Sequence, residues 1–311
     1  MLVVLIETLS FMVLYDAAFA ALAQHVPDNT RAAITKLTLI AGFASTIFWP
    51  LTGWLGETLG WRGSYLAFAA LNVAIALPLH FWLARQRADV SFGNAETASV
   101  RSTERPVLKG AIARRAFWQV GISFALSGMA IAALGVHMVP ILLDRGLGET
   151  AFLVAMAMGP AQVLIRIVDA TLWRRLHPVT VAVISAAALP LSMVVLLSPG
   201  PNLLLAAAFA VLFGAAQGLS SIVRGAVPVV LFGREDLGLQ LGRLAAMRNI
   251  LGAAAPFLFA FAGGFLGNRM TLWLTIGIAT AGFLVIAWLW RDLGRAEMIA
   301  TPEANPAHPI G

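Results

Sequence analysis

Few side chains in this 311-residue chain can do chemistry, and those that can lie within or at the ends of long apolar runs. Glu7 and Asp16 share the first run, Gln162, Arg166 and Asp169 share another, and Gln217 and Arg224 belong to a third. An ionisable group held at mid-membrane costs about 2.5–3.5 kcal/mol on insertion scales, so each requires a reason. Carboxylates there suit proton or cation coupling, Arg with Asp suits ion-pair gating, and Gln suits hydrogen bonding to a solute or between helices. Glu7 and Asp16 are nine residues apart, about 900° around a helix, and therefore point to opposite faces. Arg166 and Asp169 are three apart and share a face, a spacing that allows an intrahelical pair. That pair reads equally as a conformational gate near residues 173–178 or as a purely structural contact. No Walker loop, HExxH, G-x-S-x-G or DFG-like string occurs, so neither an ATP site nor a hydrolase centre is supported. The sequence calls for no cofactor and no metal, and an enzyme is not expected.

Composition fixes the surroundings of these groups. The chain is 59% hydrophobic and 12% charged, with a mean hydropathy of +0.84. Soluble domains are near half apolar and about a quarter charged, and a chain of this size cannot hide such an excess in one core. Most of it must face lipid. The absence of cysteine excludes disulfides and thiolate chemistry. About 20 apolar residues cross the hydrocarbon, and nine such stretches are predicted: 2–23, 33–54, 63–84, 116–138, 149–172, 178–197, 202–223, 241–266 and 271–290. Backbone polar groups in lipid must be bonded internally, and these long non-alternating runs do so as helices. The predicted fold is all-α, a polytopic integral membrane protein.

The net charge of +6 could suggest nucleic acid. Sorting the basic residues by side removes that reading, because 17 of the 21 fall on one side of the predicted spans. Such a bias places that side in the cytoplasm. The C-terminus is then cytoplasmic and Met1 outside, in a bacterial-type inner membrane. The partner expected from this bias is the lipid bilayer, and no nucleic acid.

The one long polar stretch, residues 85–115, reads as a cytoplasmic linker, partly disordered, with three spans before it and six after. The tail 292–311, with three prolines, should be loose. The predicted organisation is therefore residues 1–84, the linker 85–115, residues 116–291 and the tail 292–311. Two span pairs also resemble each other. Gly42 and Pro50 interrupt one helix ahead of Trp61-Arg62, and Gly252 and Pro256 interrupt another ahead of Asn268-Arg269. Helix breaks at matched depth in two halves are the repeat signature of transporters, with the site at the repeat interface.

At this point the chain resembles the major facilitator superfamily. The stretch Gly42-Phe43-Ala44-Ser45-Thr46-Ile47-Phe48-Trp49-Pro50-Leu51-Thr52-Gly53 resembles the antiporter motif of the family's fifth helix, with Trp49 in place of the glycine before the proline. The run Gly159 to Arg166, followed by Arg174-Arg175, is similar to the second copy of the family's loop motif. Gly214-Ala215-Ala216-Gln217-Gly218 and Ile222-Val223-Arg224-Gly225 resemble the tenth helix of a bacterial efflux-type subgroup tied to drug or metalloid export.

The resemblance implies two six-helix bundles joined by the linker, with the family's first three helices absent ahead of Met1. Residues 1–84 would be the second half of the N-terminal bundle and 116–291 the whole C-terminal bundle. It places Glu7 on a cavity-lining helix, a candidate for proton coupling, or else solvated at the outer headgroups. Asp16 and Arg224 become gate residues able to meet across the cytoplasmic mouth, although Arg224 also reads as an ordinary positive-inside arginine. Gln162 and Gln217, uncharged polar groups at membrane depth, are candidates for substrate hydrogen bonding or for helix–helix contact. The implied function is secondary active transport of a small molecule by alternating access, as proton-coupled efflux. An ion-independent facilitator of a metabolite, and a truncated non-transporting fragment or subunit of a larger complex, stay open beside it.

Overall fold

The computed structural model describes residues 15–26, 30–90, 108–198, 200, 202–233 and 237–300. Among these residues the regular structure is entirely helical. The order is α1 (Tyr15–His25), α2 (Thr30–Leu71), a π-helical turn at Asn72–Ala76, α3 (Leu77–Val90), α4 (Gly110–Asp144), α5 (Thr150–Thr171), α6 (Pro178–Leu196), α7 (Leu203–Phe232) and α8 (Leu237–Ala300). Six helices in this part of the chain are long and apolar enough to cross a membrane. Several extend past the predicted spans. α4 begins before 116, α7 continues past 223, and helical geometry runs to Ala300, where a loose tail was expected. Span prediction reads the apolar length only, whereas a helix's backbone hydrogen bonds continue into water. Both ends of the polar stretch 85–115 are likewise helical, and residues 91–107 lie outside the description.

Two of the long helices are broken by glycine. At Gly60 the backbone reaches φ 67°, ψ 175°, and at Gly267 it reaches φ 78°, ψ 159°. This region is open almost only to glycine. In both places the hydroxyl four residues later donates to the glycine carbonyl, Ser64 to Gly60 at 2.9 Å and Thr271 to Gly267 at 3.0 Å. The shared pattern is Gly-x-Arg-x-Ser/Thr, with Arg62 and Arg269 at the third position. The resemblance between the two span pairs thus extends to the backbone conformation at the corner. Gly60→Ala or Gly267→Ala should each cost about 1–3 kcal/mol. The expected readout is a lowered thermal unfolding midpoint in detergent for both variants, and an unchanged midpoint would show that the corner can relax.

The chain divides into two compact units. One comprises Met1–Gly42 with Val107–Gly311, and the other Phe43–Pro106. In the first unit α4 packs on α8, and α7 packs on both α5 and α6. Phe209 and Phe213 of α7, Leu134 of α4, Leu189 and Met193 of α6 and Leu272 of α8 form one buried core. A second core gathers Val120, Val179, Leu219, Val223 and Ile286. The α5–α7 contact is close because Gly214 and Gly218 face it. A Cβ on Gly214 would lie 2.7 Å from the Met158 carbonyl oxygen, and one on Gly218 would lie 2.9 Å from that of Gln162. α1 and the start of α2 join this unit through a smaller cluster of Phe19, Ile34, Leu237 and Leu241. Phe19 packs against Gly225 of α7, where a Cβ would come within 2.7 Å of its ring. Outward-facing residues such as Phe257 and Phe265 are 79% and 76% exposed, as a lipid-facing surface requires.

In the second unit Phe48 and Phe68 meet with ring centroids 5.9 Å apart, across the Gly60 corner. Arg62 lies 4.7 Å from the Trp61 ring centroid. Such a cation–π contact suits an aromatic at a membrane interface.

Candidate functional site

The polar residues of the first unit collect at one end of its helices, where α1 finishes, α2 starts, α5 finishes and α8 starts. Helical rise sets their depths from the helix ends at His25, Thr171 and Phe232 at ~1.5 Å per residue. Asp169 is the shallowest. Arg166 follows at roughly 7 Å, Asp16, Gln162 and Arg224 lie at roughly 12–14 Å, and Gln217 is the deepest.

The two glutamines come together. Gln162 of α5 donates from Nε2 to Oε1 of Gln217 on α7 at 2.8 Å, which the close glycine contact between those helices permits. One turn further along α5, Arg166 is 4% exposed. Its Nε donates to the Ser221 hydroxyl at 3.3 Å and its Nη2 to Gln162 Oε1 at 3.5 Å. Its Nη1 is buried without an acceptor among the described residues. That nitrogen lies against Gly42 of α2, so closely that a Cβ on Gly42 would overlap it. A side chain at position 42 would therefore have to displace the end of Arg166.

Arg166 and Asp169 do not pair with each other. Asp169, 1% exposed, faces Arg31 at the start of α2 across 3.7 Å. Thr35 also hydrogen-bonds its side chain. Arg31 does more than neutralise this carboxylate, because it donates to the carbonyls of Trp173 and Leu176 in the turn after α5. Burial pushes the Arg31 guanidinium below its ordinary value and Asp169 offsets part of that shift. An arginine starts so high that it stays charged.

Asp16 has a partner other than the one expected. Its Oδ2 accepts from Nη2 of Arg248 on α8 at 2.9 Å, with side chains only 11% and 14% exposed. Gly128 of α4 makes room for the arginine stem, since a Cβ there would come within 2.6 Å of Arg248 Cγ. Arg224 stands beside this pair. Its Nε donates to the Ser220 carbonyl at 3.2 Å, and its guanidinium lies 5.9 Å from the Tyr15 ring. Its electrostatic neighbours are Arg248, Asp16, Tyr15 and Arg166. The expected Asp16–Arg224 contact is thus replaced by Asp16–Arg248, because α8 rather than α7 presents its guanidinium to α1.

Glu7 lies outside the described residues. Pro50 falls within α2 and Pro256 within α8 without ending either helix. Gly53 faces open space and Gly252 has Ala132 Cβ as its nearest neighbour at 3.9 Å, so neither marks a tight helix contact. The Pro256 carbonyl meets His137 Nε2 at 3.1 Å, and the imidazole stacks on Phe259.

Sequence reasoning missed Arg31 and Arg248. A signal for Arg248 was present, since it falls well inside the predicted span 241–266 and is too deep for a loop arginine. Arg31 had no such signal, because it precedes its span. The arrangement can tie α1 and α2 to α5 and α8 by two ion pairs, and it presents guanidinium and amide groups between α5 and α7.

The family model described as Major Facilitator Superfamily matches residues 9–222. No curated protein matches the chain.

Proposed function

The chain belongs to the Major Facilitator Superfamily and is a membrane transporter, and we propose that it exports a small molecule by proton-coupled alternating access. The observation that carries this reading is the pair of ion pairs at one helix end. Asp16–Arg248 and Arg31–Asp169 connect helices that precede the linker to helices that follow it. Alternating access rocks one bundle against the other around a fixed site. Contacts of this kind must then break in one of the two states, which makes them gates rather than permanent braces.

In this reading residues 1–84 form part of the N-terminal bundle, 85–115 the cytoplasmic linker, 116–291 the C-terminal bundle and 292–311 a cytoplasmic tail. The ion pairs then close the cytoplasmic side, in keeping with the excess of basic residues there. Gln162 and Gln217 face the solute, and Glu7 carries the coupled proton. Export by exchange is supported by the resemblance of Gly42–Gly53 to the antiporter helix.

The test uses the absence of cysteine from the chain. Ser220 offers only its backbone carbonyl to Arg224, so Ser220→Cys introduces a single thiol beside the cluster without removing that contact. Alternation predicts labelling by a membrane-impermeant maleimide from both faces, in right-side-out and inside-out vesicles, with a ratio that changes with pH. Glu7→Gln should abolish that pH dependence. Labelling from one face alone at every pH would reject alternating access, and an unchanged pH response in Glu7→Gln would remove Glu7 from the coupling.

A further inference from the structure

We infer that the transported molecule carries an oxyanion, a carboxylate or phosphonate group, held by Arg166 and Arg224 where α5 and α7 face α1 and α2. This deepens the transporter reading and rests on it. Four arginines occupy the cluster, Arg31, Arg166, Arg224 and Arg248, against two described carboxylates, Asp16 and Asp169. The carboxylates are already engaged, Asp16 by Arg248 at 2.9 Å and Asp169 by Arg31 at 3.7 Å. One more carboxylate, such as Glu7, would still leave a positive excess.

Among the described residues Arg166 has only neutral hydrogen-bond partners, and Arg224 shares the single charge of Asp16 with Arg248. Arg166 holds two long hydrogen bonds, to Ser221 and Gln162, and leaves Nη1 buried without an acceptor. Arg224 has one backbone carbonyl and the face of Tyr15. A buried cation is ordinarily compensated by a counter-charge, so a cluster with two more guanidiniums than described carboxylates, and with Arg166 buried, calls for an anion. Both project from the helices that carry the Gln162–Gln217 pair, whose amides can donate to the uncharged part of the same molecule. The planar fork of arginine fits a two-oxygen group geometrically as well as electrostatically. An organic cation would meet repulsion from both guanidiniums. A neutral sugar would leave their charge standing.

The full chain, purified in detergent, tests this by thermal unfolding with potassium benzoate, lactate, succinate and phosphonoacetate, with tetraethylammonium chloride and glucose for comparison. At least one oxyanion should raise the midpoint by about 2–4 °C. The shift should vanish in Arg166→Gln and in Arg224→Gln, and persist in Arg62→Gln, which lies in the other unit. Arg166→Lys preserves the charge without the fork. It should unfold as the parent does and show a reduced shift, which keeps the test valid where Arg166→Gln folds poorly. No shift with any oxyanion, a shift with tetraethylammonium alone, or an oxyanion shift that survives both glutamine variants would each overturn the proposal. Binding in detergent needs neither a proton gradient nor a direction of transport. Its failure would therefore leave the labelling result at position 220 untouched, and the converse holds.

Discussion

Arg248→Asp should raise maleimide labelling of Ser220→Cys from the cytoplasmic face at least tenfold. The change removes the partner of Asp16 and puts a second carboxylate beside it. Losing one member of a largely buried pair costs about 3–5 kcal/mol, and both side chains here are less than 15% exposed. If the pair exists in one state of the transport cycle only, that cost falls on one side of the conformational equilibrium. About 1.4 kcal/mol of it already corresponds to a tenfold change. Combining Arg248→Asp with Asp16→Arg should return labelling to within a few fold of the parent, since the exchanged charges attract again. Recovery should be incomplete, because the space beside Gly128 fits an arginine stem arriving from α8 and not from α1. A double variant labelled as fast as the single would show that the contact does not gate.

At the second ion pair the two partners should give unequal effects. Asp169→Asn removes a charge but leaves an amide able to pair with Thr35 and to face Arg31. Arg31→Ala removes the ion pair and also both donations to the Trp173 and Leu176 carbonyls. It leaves a carboxylate that is 1% exposed without its cation. An uncompensated buried charge of this kind costs about 3–5 kcal/mol, against roughly 1 kcal/mol for a weakened neutral contact. Hydrogen exchange across residues 172–177 distinguishes the two roles of Arg31. It should accelerate strongly in Arg31→Ala and little in Asp169→Asn. Equal acceleration in both would mean that the ion pair alone orders the turn.

Much of the helical architecture was legible because a membrane imposes it. Apolar length locates the crossings without knowledge of their neighbours. Helix ends were less legible, since α4, α7 and α8 continue into polar sequence where nothing in the hydropathy marks a stop. The Gly-Pro positions were expected to interrupt α2 and α8. The bend itself falls on Gly60 and Gly267, where φ is positive, and the prolines lie within continuous helix.

The site divides along the same line. Gln162, Arg166, Asp169, Asp16 and Arg224 stood out because polar groups in apolar runs are individually expensive. Their partners did not follow, because periodicity assigns a residue to a face of its own helix and says nothing of which helix lies opposite. The i,i+3 rule allowed Arg166 to reach Asp169, yet Asp169 faces α2 and Arg166 faces α7. The positive-inside count grouped Arg31 and Arg248 with solvated loop arginines. Both are in buried or half-buried ion pairs instead.

The most direct test of the gating account is a distance distribution between spin labels at Val26→Cys and Leu239→Cys, exposed positions beside α1 and on α8. No native cysteine competes for label. The account predicts two populations in the parent, the shorter dominant, with the longer one gaining weight in Arg248→Asp and receding when Asp16→Arg is added. A single narrow distance, identical in all three proteins and at every pH, would contradict it.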